Sequence, residues 1–151
     1  MEARLRRTLP TRFAAILPAA LLLAACAQQP IPFSSAEPVS TANHFQGFQT
    51  YAQPSPGAAH VFIVRDPGVG DSPISAVLFI NGIQIARFWT RQKIELYMPP
   101  AQYLMVIESG FSGFGEPEPF KITLESGKTY GFRIKNERDG GFMLKPADRI
   151  D

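Results

Sequence analysis

From residue 58 onward, apolar and polar positions alternate with a period of two, and turn residues punctuate the alternation at short intervals. Residues 60–65 form a short apolar run stopped by Asp66-Pro67-Gly68. Residues 76–80 and 83–88 flank Asn81-Gly82, a pair that tolerates positive φ at both centres of a type I′ turn, and so predict a β-hairpin. In 93–98, Ile94, Leu96 and Met98 alternate with Lys93, Glu95 and Tyr97 before Pro99-Pro100, whose missing amide donors end a strand. Residues 102–108 are largely apolar, and Phe120, Ile122 and Leu124 alternate with Lys121, Thr123 and Glu125. Beyond a turn at Ser126-Gly127-Lys128, Tyr130, Phe132 and Ile134 alternate with Gly131, Arg133 and Lys135, and 141–145 supplies a last run. About seven short strands at a spacing of roughly 8 to 15 residues predict a mainly β domain, an antiparallel β-sandwich of immunoglobulin-like or transthyretin-like type. Its expected core is Phe62, Phe79, Ile85, Leu96, Met105, Ile122, Phe132 and Leu144. A domain of roughly 90 residues buries about 60 to 65% of its unfolded surface, enough for an independent core without disulfides.

Ahead of residue 58 the pattern changes twice. Residues 26–57 are rich in Pro, Gln, Ser and Ala, with Pro30, Pro32, Pro38, Pro54 and Pro56 biasing the chain away from helix. This reads as a flexible tether whose ends, over about 30 residues, stand roughly 30 Å apart. Phe45, Phe48 and Tyr51 interrupt it and pack either on the domain or on a partner. Residues 1–25 carry Arg4, Arg6, Arg7 and Arg12, then an apolar run from Phe13, then small residues. Those are the three parts of a secretory signal, and a run of about 12 residues is too short for a bilayer core that needs about 20 in helix.

Leu23-Ala24-Ala25-Cys26 resembles the lipobox of bacterial lipoproteins. The resemblance implies cleavage before Cys26, a covalent diacylglycerol on its thiol and an N-acyl chain on its new amino group, with no other cofactor. Several acyl chains hold a protein stably at a membrane where one holds weakly. Ala27 stands where the family's signal for inner-membrane retention is aspartate. The expected location is therefore the outer membrane, facing the periplasm, with the periplasmic side of the inner membrane as the alternative. The organisation expected is a signal peptide at 1–25, a lipidated tether at 26–57 and the sandwich at 58–151.

Loss of residues 1–25 takes four of the 15 basic residues and one of the 13 acidic, so 11 face 12 and the net charge becomes −1. The positive charge of the whole chain thus carries no implication of nucleic-acid binding. With Cys26 acylated, no thiol remains for disulfides or soft metals. Over roughly residues 59–136, Arg65 at a strand end, the Asn81-Gly82 hairpin and Leu96-Tyr97-Met98-Pro99-Pro100 resemble a small bacterial lipoprotein domain of unknown function and the surface-layer-like and carboxypeptidase-regulatory-like sandwiches. Ile83 and Ala101 depart from that pattern, where Lys and Gly are usual. The resemblance implies a sandwich and no catalytic residues.

Candidate chemistry is sparse. Gly110-Phe111-Ser112-Gly113 is one position short of a nucleophile elbow, and Gly113-Phe114-Gly115 lacks the third glycine and the helix of a dinucleotide site. His44 and His60 have neither the spacing nor the companions of a zinc site. Glu116 and Glu118 flank Pro117 as a pair of carboxylates, but in a Pro- and Gly-rich loop that leaves them solvated. Asp66 and Asp71 lack the ordered ligand alternation of a calcium loop. The surface offers more. Phe88-Trp89, Tyr97, Phe111 and Phe114 cannot all face inward, and Arg87 and Arg91 flank Trp89. Arg87, Trp89, Arg91, Phe111 and Phe114 are the candidate binding surface, with Trp89 either meeting a partner or covering one end of the core. The function expected is a membrane-anchored, non-enzymatic binding or structural module for an envelope protein, peptide or glycan. The alternative is a small hydrolase or ligand-processing enzyme whose site forms only in three dimensions.

Overall fold

The computed structural model describes residues 30–68, 73–113, 115–137 and 140–148. Nine strands run through them: β1 (Glu37–Pro38), β2 (Ala59–Arg65), β3 (Ala76–Ile80), β4 (Ile83–Phe88), β5 (Gln92–Met98), β6 (Gln102–Ser109), β7 (Phe120–Thr123), β8 (Thr129–Asn136) and β9 (Phe142–Pro146). They form two sheets, one of five strands in the order β1-β5-β2-β8-β9 and one of four in the order β4-β3-β6-β7, facing each other across one core as a β-sandwich.

The alternation sets what fills that core. Val61 and Ile63 of β2, Leu78 and Ile80 of β3, Ile94, Leu96 and Met98 of β5, Met105 and Ile107 of β6 and Phe132 and Ile134 of β8 all point inward and are buried. Each such side chain contributes about 1.5 to 3 kcal/mol by leaving water. Ile85, Leu96, Met105, Phe132 and Leu144 sit where the sequence places them, and Ile122 packs half-buried against the same core. Phe62 and Phe79 do not join it. Phe62 shares its row with Glu95 and Gly131 on the outer face of the five-stranded sheet, and Phe79 stands opposite Val106 on the outer face of the other. Ring size made both attractive as core residues, but parity had already given the inward places to their smaller neighbours.

Asn81 and Gly82 have φ of 50° and 78°, as a type I′ hairpin requires. Asn81 also exchanges hydrogen bonds with β6, its amide donating to Leu104 O at 2.8 Å and its Oδ1 accepting from Leu104 N at 2.9 Å. The hairpin is thereby fastened to its neighbour. A Cβ at Gly82 would meet nothing, so a substitution there is penalised by the backbone alone. Gly82→Val should cost about 1 to 3 kcal/mol, read as a lowered denaturation midpoint. An unchanged midpoint would contradict the turn.

Most neighbouring strands pair antiparallel, as expected. β2 and β8, however, pair in parallel from His60 opposite Thr129 to Arg65 opposite Ile134, and β1 joins β5 in parallel. Parallel neighbours need a long crossover, and the chain supplies it by passing through β3 to β7 before returning as β8.

The largest departure from the sequence reading concerns the tether. Residues 26–29 lie outside the described residues, but 30–57 run along the sandwich as a strap in place of a flexible chain. Phe33 and Ala36 are buried with Val64, and Phe33 meets Phe62 edge-on at 4.6 Å between ring centres. β1 adds to the edge of β5, Val39 N donates to Lys93 O at 2.9 Å, and the Val39 side chain enters the core. The chain then crosses to the other sheet, where His44 bridges to Ala86 and Phe45 N donates to Ile85 O at 2.9 Å. Phe48 and Tyr51 pack on the core, so this aromatic cluster is answered by its own domain. The physical reason is complementarity. Scattered apolar residues between prolines already held extended match the edges of β4 and β5, which an isolated sandwich would leave open to pairing.

Candidate functional site

Strand polarity gathers the β2–β3, β4–β5, β6–β7 and β8–β9 connections at one end of the sandwich. β2 delivers Arg65 there. The residue continues the inward parity of Val61 and Ile63 and is fully buried, the bulkiest such side chain among the described residues. Its Nη1 donates to Phe88 O of β4 at 2.8 Å, and its guanidinium lies 4.7 Å from the centre of the Phe142 ring of β9. Nε and Nη2 have no hydrogen-bond partner among the described residues. Desolvation pushes its pKa down to about 10, so it still carries its charge at neutral pH. A carbonyl and a ring face give only part of what water would, which makes Arg65 an expensive residue to keep.

Beside it, Asp66 leaves the inward row. Its Oδ1 accepts from Arg133 Nη1 at 2.6 Å in a pair whose side chains retain only 13% and 9% exposure, and the same Nη1 donates to Ile31 O of the strap at 3.0 Å. Asp66 N donates to Ile134 O, extending the parallel ladder by one residue. Asp66 thus serves an ion pair with Arg133, and Asp71 lies outside the described residues.

The β4–β5 turn holds Trp89 outward, with 41% of its surface exposed. Gln92 Oε1 accepts from Trp89 N at 2.8 Å, Arg91 adopts φ of 65°, and Arg91 N donates to Arg65 O at 3.1 Å. Trp89 is therefore half-exposed at the edge of this end, while the core beneath is closed by Phe88. Arg91 is exposed in the same turn. Arg87 is not part of this arrangement: its guanidinium lies 5.9 Å from the ring of Phe45 in the strap. Phe111, 59% exposed, projects from the β6–β7 loop, whose base is fastened by Gly110 N donating to Ser75 O at 2.7 Å. A Cβ at Gly110 would overlap Ser75 Oγ and crowd Ser75 O and Cβ at 3.1 and 3.2 Å, so a larger residue there must displace the Ser75 side chain. Phe114 lies outside the described residues. Of the five candidates, the structure brings Trp89, Arg91 and Phe111 to one end.

Phe111 also borders a recess of about 200 Å³ with Ile107, Ser112, Pro117 and Phe142, and with Glu108 as its carboxylate. This is below the roughly 300 to 1,000 Å³ of a small-molecule pocket, so it suits one side chain or one sugar ring. Glycine backbone and serine hydroxyls offer hydrogen bonds and the two phenylalanines offer ring faces. Phe142 lines the recess and also underlies Arg65, which joins the cation to the floor of the site. Glu116 and Glu118 are exposed, as expected. The histidines serve packing: His44 stacks on Phe48 at 3.9 Å, where burial lowers its pKa, and His60 lies between Phe62 and Tyr97 with Nε2 3.2 Å from Glu95 Oε2.

Sequence reading missed Arg65 as a buried cation and Arg133 as the partner of Asp66. The first had a signal, since period-two counting from Val61 and Ile63 places Arg65 inward. The second had none, because the two residues are 67 apart in sequence. No family model matches the chain, and a search of curated proteins finds no similar sequence.

Proposed function

We propose that this chain is a lipid-anchored envelope protein, held at Cys26 and facing the periplasm from the outer membrane, whose sandwich engages a partner peptide or glycan through its loop end without catalysing a reaction. The observation that carries this reading is the exposure of Trp89 and Phe111 at one end of the sandwich, with a recess sized for one side chain or sugar ring beside Phe111. Aromatic side chains give large contact area at low entropic cost and recur as interface anchors.

Two measurements test it. Cys26→Ser should abolish incorporation of a fatty-acid analogue, and label persisting on the variant would remove the anchor. A photoreactive residue at position 111 should give a defined adduct in cells that the same residue at Lys121, on the outer face of β7, does not. Equal adducts from both positions would remove the loop end as a binding surface. Because Trp89 is partly solvated and Phe88 closes the core, Trp89→Ala should change folding stability by less than about 1 kcal/mol. A loss near 3 kcal/mol would assign Trp89 to the core.

A further inference from the structure

The strap fixes more than the edges of the sandwich. Ile31 O is held by Arg133 Nη1, Phe33 O accepts from Lys93 Nζ at 3.0 Å, and the Lys93 ammonium stands 4.5 Å from the Phe33 ring centre. Lys93 and Arg133 lie on the outer face of the five-stranded sheet, so the chain leaves the described fold at Pro30 directly over that face. Cys26 is four residues earlier, and four trans peptide steps span at most about 15 Å. The same Arg133 Nη1 holds Asp66, so a lipid on Cys26 brings the bilayer within that reach of the border where this face meets the loop end.

The face has a matching composition. Register puts Lys93, Val64, Arg133 and Lys145 in one row across four strands, with Lys135 in the next row of β8. Phe62, His60 and Tyr97 form an aromatic stack beside them. Its carboxylates are Asp66, Glu95 and, by the parity of Arg133 and Lys135, Glu137 just past the end of β8, whereas Glu37 stands opposite Gln92 in an inward row. Asp66 is bonded to Arg133 and Glu95 to His60, whereas Lys93, Lys135 and Lys145 have no carboxylate partner among the described residues. Lysines at a membrane surface gain from anionic headgroups within a Debye length of about 8 Å, which the short reach from Pro30 allows.

We infer that the outer face of the five-stranded sheet docks on anionic phospholipid headgroups of the membrane that anchors the chain, with Lys93, Lys135 and Lys145 facing the phosphates. The inference rests on the lipid-anchor reading. The acylated protein, isolated from a bacterial membrane fraction, is placed on vesicles of phosphatidylcholine alone or mixed with phosphatidylglycerol. Flotation and the acetylation rate of each lysine, followed by mass spectrometry, are then measured. Flotation with both vesicles is expected from the anchor. Docking should slow acetylation of Lys135 and Lys145 by about threefold or more on the anionic vesicles, with Lys121 on the opposite sheet unchanged. The double variant Lys135→Glu, Lys145→Glu should still float while Lys93 loses its protection. Equal rates at Lys135 and Lys145 on the two vesicles, with the protein floating on both, overturn the docking alone. Failure to float on phosphatidylcholine overturns the anchor, and the docking with it.

Discussion

Replacing Arg65 by alanine should lower folding stability by about 3 to 5 kcal/mol, because it empties the volume of a fully buried side chain and strands Phe88 O without its donor. Replacing it by methionine should cost less, about 1 to 3 kcal/mol, because most of the volume is kept and the desolvated charge is removed, while Phe88 O still loses its donor. Denaturant melts of residues 27–151 carrying either change separate packing from charge. Equal losses in the two variants would mean that the guanidinium is worth more than its one hydrogen bond and one ring contact account for. If methionine is tolerated, the fold keeps a cation at the loop end that its own stability does not require.

Phe33→Ala should cost about 3 kcal/mol, since the ring is 9% exposed, meets Phe62 edge-on and lies beneath the Lys93 ammonium. A free tether predicts no change at all. The same melt decides between them, and protease sensitivity near Ala36 should rise in the variant as the strap loosens. A Phe33→Ala midpoint equal to the parent would return residues 30–57 to the status of a linker.

Much of the fold was legible because strand alternation and turn chemistry are local. The Asn81-Gly82 hairpin, the stop at Pro99-Pro100 and the inward rows of β5 and β8 all follow from residues within a few positions of one another. What escaped was set by partners far along the chain. The strap looks like linker because its composition is that of one, and only the waiting edges of β4 and β5 turn it into structure. Phe62 looks like core because it is large, and only its neighbours' parity turns it outward to meet Phe33. At the candidate site, Trp89 and Phe111 were visible as aromatics that the core had no room for. Their gathering at one end, with the recess beside Phe111, depends on strand polarity, and Arg87 was separated from them by Phe45, a residue of the strap.

The parallel pairing of β2 with β8 has a consequence for how the molecule comes into being. β2, the first long strand of the described residues, lies at the centre of its sheet, and one whole side of it stays unpaired until His60 finds Thr129 and the register runs on to Arg65 and Ile134. A chain emerging from its N-terminus therefore cannot finish its first sheet until nearly all of it has emerged. Loop closure over that distance precedes the contacts that reward it, which places folding in the slow, millisecond-to-second range of non-local β topologies. Until β8 arrives, β2 is an apolar strand with an open edge, and shielding that edge during synthesis is a demand that this topology makes on its surroundings.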